Sequence, residues 1–261
     1  MKLLNFLYGI TVLVIFLILI WLFAIPNALI KEKVENAVSH AGDGSLTISI
    51  EGIRKGIFFS LYADTIILSI DNKPTLSIND LSIHFTPRHL NTGELAFLVK
   101  GDVGTGTIEG ILKLPMKGNF KIDKADLDSI PYMKRFGIEV SGHLSSDIKL
   151  NNEKMEAIFN VPDLDIQSTA VISIPLINTF RRMQGSVHLD GNDLRVDSIS
   201  LEGEKGFARL KGQIKNGLAD MVIELMPVEQ KLNTLESMII GKYVVSPGYY
   251  VVPINGPLAI Q

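Results

Sequence analysis

The chain has 261 residues, a formal net charge of −3 and a pI of about 6.0, values that do not indicate nucleic acid as a partner. It contains no cysteine, which excludes disulfides, thiolate metal sites and cysteine nucleophiles. After an apolar N-terminal segment, the remaining length suits one β sandwich or open sheet, so a single body is predicted.

The first predicted element is an uncharged stretch from Phe6 to Ile25. A helix rises 1.5 Å per residue, so ~20 residues cross the ~30 Å hydrocarbon layer of a bilayer. Trp21 lies near one end, where an amphipathic ring favours the interface, and Pro26 ends the helix. The alternative is a cleaved signal peptide, but the apolar core is long for one and Ala24-Ile25-Pro26 is a poor cleavage site. An uncleaved transmembrane anchor over residues 1–28 is therefore predicted.

The orientation of this anchor is predicted from its flanks. Lys2 precedes the span, and Lys31 and Lys33 follow it, so the count of positive charges is nearly balanced. A short N-terminal tail favours a cytoplasmic N-terminus. The prediction is a single-pass protein of the cell inner membrane, in contact with the bilayer through residues 6–25, with a periplasmic body.

The segment after the anchor, Asn27 to His40, has the pattern of a short amphipathic helix. Gly42 and Gly44 end it. Residues 29–43 are assigned to this juxtamembrane helix, which is predicted to pack on the body. The apolar residues at helical spacing are Ile30, Val34, Ala37 and Val38.

From Ser45 onward the hydrophobic period changes from 3.6 residues to 2, which predicts β-strands separated by Gly, Asn and Asp. Two interruptions, Leu127 to Phe136 and Val228 to Ile240, are predicted as helices, with irregular loops as the alternative. The predicted strands are 46–51, 63–70, 76–85, 94–99, 106–114, 118–122, 139–150, 156–160, 164–172, 185–189, 194–202, 208–215 and 219–225.

The predicted fold class is mainly β. An N-terminal transmembrane helix and a short amphipathic helix precede a long antiparallel β meander or curved sheet over residues 44–261. Such a sheet has one apolar and one wet face. The pattern leaves open whether the β body is a closed barrel, a sandwich or an open groove.

The sequence offers no recognisable catalytic, cofactor or metal site. The five histidines lack metal-ligand spacing, and His84 and His188 alternate with apolar neighbours as polar-face strand residues do. No G-x-S-x-G motif is present. The glycine-rich segment from Gly101 to Gly110 lacks the Gly-Lys-Ser/Thr sequence that ends a phosphate-binding loop, and strands rather than a helix are predicted on both sides of it. A turn is therefore predicted there. We therefore predict no catalytic, cofactor-binding or metal-binding residues, no cofactor and no enzymatic activity.

Two polar pairs are interpreted as surface features. Asp163 and Asp165 straddle Leu164 in an alternating strand, which predicts a solvated strand face rather than an acid–base pair. Arg181 and Arg182 form a small basic spot. A solvated turn is favoured there over contact with anionic lipid or an acidic partner.

Two stretches of the sequence carry a resemblance to a known family: Phe120 to Lys134 (FKIDKADLDSIPYMK) and Gly137 to Leu150 (GIEVSGHLSSDIKL). Both resemble segments of the type II secretion system protein N family. The resemblance extends over residues 95–260 and consists of short, mostly structural motifs. The plan of anchor helix, short helix and long β meander is shared more broadly with AsmA-like envelope proteins. Later segments that fit are Gly185-Ser-Val-His-Leu, Leu201-Glu-Gly, Leu210-Lys-Gly and Tyr250-Val-Val-Pro-Ile-Asn-Gly-Pro-Leu.

The resemblance implies a non-catalytic inner-membrane component of a Gram-negative type II secretion system, which assists assembly or protein export. Its partners would be other secretion-system or envelope proteins, and the family offers no catalytic residues to carry over. The AsmA-like plan implies a different function, a lipid-binding or lipid-transfer protein that holds lipid in an apolar groove. The sequence leaves both functions open.

Overall fold

The protein is mainly β, as predicted, with 59% of residues in strands and 24% in helices. The chain divides into two compact units, residues 1–102 and 103–261. That residues 44–261 form one domain stays a prediction. The computed structural model describes residues 2–41, 46–70, 72–130, 138–152, 154–169, 176–191 and 193–257.

Two helices open the first unit. Helix α1 spans Lys2–Leu19 and continues into a π-helical turn, Ile20–Ala24, and helix α2 spans Asn27–Ala41. They are separated at Pro26, which lacks an N–H and disfavours helical geometry in the residue before it. Ile25 is accordingly extended, with φ −95° and ψ 115°. The break lies where the sequence predicts the first helix to end.

Between Val12 and Phe23 the first helix carries many exposed apolar side chains, Phe16 and Phe23 among them. Within the described part of the chain, no single helix is by itself long and apolar enough to cross a membrane. The segments Thr11–Ala24 and Asn27–His40 reach that length and composition as a pair, with a bend of 84° between them. The transmembrane anchor stays a prediction.

The sheet of the first unit is antiparallel, with strand order β1-β3-β4-β5 and the short β2 paired to β3. A 3-10 turn at Pro87–Thr92 connects β4 to β5. Its buried core is formed by Ile50, Ala63, Ile66 and Leu81. The strands are Leu46–Glu51 (β1), Arg54–Lys55 (β2), Leu61–Ile70 (β3), Lys73–Phe85 (β4) and Ala96–Val103 (β5).

Helix α2 covers the outer strand of this sheet. Within the described residues β1 pairs with β3 alone, so its other edge presents backbone groups that need partners. The Glu35 carboxylate in α2 accepts a hydrogen bond from the backbone N–H of Ile50 at 3.0 Å. Lys31 lies 3.7 Å from the same carboxylate. The predicted juxtamembrane helix therefore packs on the sheet and protects its edge.

The sheet of the second unit is also antiparallel, in the order β6-β7-β9-β10-β12-β13-β14-β15-β17-β16, and β8 pairs separately with β11. The strand path does not return on itself, so this sheet is not closed into a barrel. The strands are Gly106–Lys113 (β6), Lys117–Asp126 (β7), Ile138–Ser141 (β8), His143–Asn151 (β9), Lys154–Val161 (β10), Asp165–Thr169 (β11), Phe180–Asp190 (β12), Asp193–Gly203 (β13), Gly206–Lys215 (β14), Leu218–Pro227 (β15), Val244–Ser246 (β16) and Tyr249–Pro257 (β17).

The core of the second unit forms where small elements cover the large sheet. Helix α3 spans Thr234–Gly241 and begins after Asn233, whose side chain and that of Glu236 form a reciprocal N-terminal cap. The helix predicted over 228–240 is therefore shorter, and Glu229–Lys231 forms a 3-10 turn instead. The buried cluster joins β8, β11 and α3 to the sheet through Leu127, Val140, Leu164, Ile166, Phe180, Leu225, Ile240 and Val252.

Two other predicted elements differ from the structure. The strand predicted over 139–150 is broken at Gly142 (φ 136°) into β8 and β9, which belong to different sheets. A Cβ at this glycine would lie 2.9 Å from the Asp163 carbonyl oxygen, so a larger residue does not fit. The helix predicted over 127–136 is a short 3-10 turn, Leu127–Ser129, and positions 131–137 lie outside the described residues.

Candidate functional site

The end of the first helix leaves two backbone carbonyls without helical donors. In an α-helix the carbonyl of Leu22 would accept from the N–H of residue 26, and in a π-turn the carbonyl of Trp21 would do so. That residue is Pro26, which has no N–H. Because both carbonyls need partners, donors must come from elsewhere in the fold.

Lys55 in β2 supplies these donors. Its Nζ donates to the carbonyl oxygens of Trp21 and Leu22, both at 2.8 Å, and also to that of Ile25. An ammonium group has three N–H bonds, so these three acceptors satisfy it fully. Its positive charge also faces the negative end of the helix dipole. A lysine 30 to 34 positions along the chain thus caps the first helix.

Two further side chains connect the helix end to the same part of the sheet. The indole N–H of Trp21 donates to the carbonyl of Gly56 at 3.0 Å, and the Asn27 amide donates to that of Ile53 at 3.1 Å. The Nζ of Lys55 also lies 5.8 Å from the Trp21 ring centroid, within range of cation–π attraction. We call Trp21, Lys55 and Gly56 the helix–sheet junction.

A row of aromatic rings extends from the junction. The ring centroids of Trp21 and Phe59 are 5.6 Å apart, those of Phe59 and Phe85 6.4 Å, and those of Phe85 and Phe97 5.8 Å. These separations are typical of attractive aromatic pairs. The rings line an apolar cavity of about 470 Å³ together with Ile30, Leu61, Ile83 and Leu95. A cavity of this size, with no charged lining residue, suits an apolar ligand.

The strand register explains why these aromatic residues meet. Leu61 at the start of β3 pairs with Ile83 near the end of β4, and Phe85 pairs with Phe97 near the start of β5. The turn before β3 and the turn between β4 and β5 therefore lie at one end of the sheet. The helix–sheet junction lies at that same end, because Lys55 pairs with Leu61.

The β2–β3 turn, residues 56–60, is both strained and apolar. Phe58 and Phe59 have φ angles of 57° and 59°, a left-handed conformation that costs a non-glycine residue ~1–2 kcal/mol. The turn is closed by the backbone N–H of Gly56, which donates to the Ser60 carbonyl at 2.8 Å. Ile57 and Phe58 remain 60% and 67% exposed.

In the second unit, His143 at the start of β9 lies between two carboxylates. Its backbone N–H donates to Asp163 Oδ1 at 2.8 Å, its Nδ1 contacts the other oxygen of that carboxylate, and its Nε2 lies 3.5 Å from Asp126 Oδ1. The hydrogen bond and the charge of Asp163 raise the pKa of His143. Hydrogen bonds from His143 lower the pKa of Asp163, and hydrogen bonds from Thr105 lower that of Asp126.

This arrangement is a structural contact between strand ends. Both ring nitrogens of His143 face carboxylates. The contact connects the end of β7, the start of β9 and the residue two positions before β11. Within the part of the chain that the structure describes, no group of three or more His, Asp or Glu side chains is placed to hold a metal ion.

The histidines interpreted as polar-face strand residues have partners on neighbouring elements. The Nδ1 of His84 lies 3.0 Å from the Ser60 hydroxyl, and the Nε2 of His188 lies 2.5 Å from an Asp197 carboxylate oxygen. The glycine-rich stretch predicted as a turn contains one at Gly104, which has a φ of 61°.

The other polar residues singled out in the sequence are placed differently from the prediction. Arg181 and Arg182 lie within strand β12 and not in a turn. Arg181 lies 3.6 Å from Asp165, so it joins two strands. Strand β11 begins only at Asp165, and Asp163 before it contacts His143. Both aspartate side chains nevertheless remain about half exposed, as expected for a solvated face.

No protein-family model, curated protein or solved structure matches the chain. The helix–sheet junction and the apolar cavity are therefore the features from which function is inferred. Sequence reasoning identified Trp21 and Pro26 but not Lys55 or the aromatic row. The sequence does indicate that a capping donor is needed, because a proline after a helix leaves the preceding carbonyls without an N–H partner. Nothing in the local sequence indicates which residue supplies that donor.

Proposed function

We propose that this chain is a non-catalytic, single-pass inner-membrane protein with a periplasmic β-rich body, and that it assists assembly or export as an accessory component of a type II secretion system. The observation that carries this proposal is the helix–sheet junction, in which Lys55 holds the carbonyls at the end of an apolar helix. Retention at a membrane alone needs only a flexible linker. A fixed connection gives the sheet a defined orientation relative to the bilayer.

The exposure of α1 supports the anchor. A helix that is apolar all round belongs either in a protein core or in a membrane. Phe23 is 82% exposed and Phe16 is also exposed, so this helix is not a core element of the first unit. Trp21 lies at its far end, at the position that interfacial tryptophans favour.

The C-terminal edge of the second-unit sheet supports contact with other envelope proteins. Within the described residues β16 pairs with β17 alone, and all its residues are exposed. An edge strand presents backbone N–H and C=O groups to which a partner strand can add. The family resemblance of residues 95–260 favours secretion subunits as those partners.

The test is purification of the full chain from native membranes after mild solubilisation, combined with a secretion assay in a deletion strain. We expect secretion subunits to co-purify and export to fall without the protein. Lys55→Met should weaken complementation of export, and Lys117→Met, which removes an exposed lysine of the second unit, should not. Unimpaired export in the deletion strain, with no secretion subunit recovered, would refute the proposal.

A second candidate function, lipid binding, is favoured by the apolar cavity of the first unit. Its lining of aromatic and aliphatic side chains suits an acyl chain, and each buried CH₂ contributes ~0.8 kcal/mol. By comparison, a groove of about 520 Å³ in the second unit is lined in part by Ser145, Ser146, Ser198 and Ser200, which suits an acyl chain less well.

Native mass spectrometry of the full chain with added phospholipid tests this second function. Leu95→Trp places a larger ring at the cavity wall and should lower the fraction of protein that carries lipid. Leu218→Trp is the matched control, because Leu218 is also an exposed leucine but lies in the second unit and does not line this cavity. Equal lipid occupancy in both variants would count against the cavity as a lipid site.

A further inference from the structure

Two separate turns expose large apolar side chains at the same end of the first-unit sheet. In the β2–β3 turn these are Ile57 and Phe58. In the turn between β4 and β5 it is Leu90, which is 49% exposed. Exposed apolar groups clustered at one end of a domain mark a surface that meets a partner or a membrane.

The backbone of the β2–β3 turn indicates that the Phe58 side chain is not there for the fold. Left-handed positions favour glycine or asparagine, and a bulky residue there is strained. Such strain persists where the side chain serves another purpose. Phe59 is also left-handed, but its ring packs against those of Trp21 and Phe85. Phe58 is exposed, so aromatic packing of this kind does not explain its strained backbone.

The position of the turn identifies what it meets. Trp21 at the end of the apolar helix donates a hydrogen bond to Gly56, the first residue of the turn. The turn is therefore held at the level where the proposed anchor leaves the hydrocarbon layer. The exposed Arg88 lies in the neighbouring turn, between β4 and β5. An apolar tip with a basic neighbour fits the boundary between acyl chains and anionic head groups.

We propose that Ile57, Phe58 and Leu90 form a second membrane contact, in which the β2–β3 turn inserts into the head-group boundary of the bilayer that the helix enters. This inference rests on the proposed membrane anchor. The turn would reinforce the orientation that the helix–sheet junction sets, because a second point of attachment leaves only rotation about the line that joins the two points.

The test uses the full chain in vesicles of phosphatidylethanolamine and phosphatidylglycerol. Since the chain has no cysteine, Phe58→Cys provides a single site for an environment-sensitive fluorophore. Lys73→Cys is the control, because β3 runs from the junction end to Ile70, which pairs with Lys73 ~30 Å away along the strand. Ile57→Cys is a second reporter in case the first variant folds poorly.

Trp21 provides an internal standard for the anchor, as it is the sole tryptophan. Brominated lipids should quench Trp21, and shallow nitroxide lipids should quench the label at position 58 several-fold more strongly than the label at 73. Quenching of Trp21 with equal, weak quenching at 58 and 73 would overturn the second contact, leave the anchor intact and indicate a protein partner for the turn. A chain that does not stay with the vesicles would overturn both proposals.

Discussion

Replacement of Lys55 by methionine tests the helix–sheet junction most directly. Methionine keeps a long unbranched stem but removes the ammonium, so the carbonyls of Trp21, Leu22 and Ile25 lose their donor. A hydrogen bond to a charged group contributes about 1.5–3 kcal/mol. The three bonds share one ammonium that is only partly buried, and water can replace part of the loss, so about 2 kcal/mol is expected for the connection as a whole.

The loss can be measured as local opening. A destabilisation of about 2 kcal/mol raises the open fraction about 30-fold, since 1.4 kcal/mol corresponds to tenfold. The Gly56 N–H, which closes the β2–β3 turn, should therefore exchange with deuterium about 30-fold faster in Lys55→Met. Exchange is measured by mass spectrometry on peptides that cover residues 52–62 in the membrane-embedded protein.

The matched control for this measurement is Lys117→Met, which makes the same chemical change at an exposed strand end in the other unit. It should leave the 52–62 peptides unchanged. If exchange in Lys55→Met also stays within about twofold of the parent, the lysine contributes less than about 0.4 kcal/mol and the junction does not hold the helix.

Three further predictions follow from individual residues. Phe58→Gly should raise the free energy of unfolding by about 0.5–1 kcal/mol, because relief of the left-handed strain exceeds the added chain entropy; lower stability in chemical denaturation would show that Phe58 supports the fold. The His143–Asp163 pair stabilises the folded state fully below the ordinary histidine pKa, and this contribution is lost as the pH rises through the raised pKa of His143. On the acid side, the contribution is lost as the pH falls through the lowered pKa of Asp163. Asp163→Asn should lower the His143 pKa in an NMR titration, and an unchanged midpoint would exclude the pair as its cause. Val14→Arg should weaken membrane insertion, because a mid-span charge costs ~2.5–3.5 kcal/mol, and unchanged recovery in carbonate-washed membranes would contradict a span.

The strands could be predicted because each buries alternate side chains. The strand over Leu46–Glu51 is present with the predicted bounds, and most others differ only at their ends. Pairing extends several strands into polar residues where hydrophobicity gives no signal, as in β12, which begins at Phe180 where the prediction began at Gly185. The short β2 and β16 were missed because two or three residues show no alternation.

The differences within elements arise from single residues that override a periodic pattern. Gly142 allows a turn that no alternation reveals, so one predicted strand became β8 and β9. Asn233 and Glu236 cap α3 several residues after the predicted helix start. The backbone conformation of the glycine and the hydrogen bonds of the cap each outweigh a hydrophobic period that would have continued.

The candidate site was predictable only in its local part. Trp21 and Pro26 stand out because their roles follow from their own chemistry and position. Lys55 does not, since its contact with the helix depends on the register between β2 and β3. The aromatic row likewise requires Phe59, Phe85 and Phe97 to come together from separate segments, which an isolated sequence does not encode in any short pattern.

The neighbour-to-neighbour pairing in the second unit has a consequence for how this sheet can change over time. Within the run from β12 to β15, each strand pairs with the next strand in the chain, β12 with β13, β13 with β14 and β14 with β15. Adjacent strands lie ~4.8 Å apart, so gain or loss of one hairpin changes the sheet width by about 10 Å and leaves the register of the remaining strands intact. Duplication or deletion of such hairpins would therefore widen or narrow the sheet in uniform steps, and the packing of the remaining strands would stay the same.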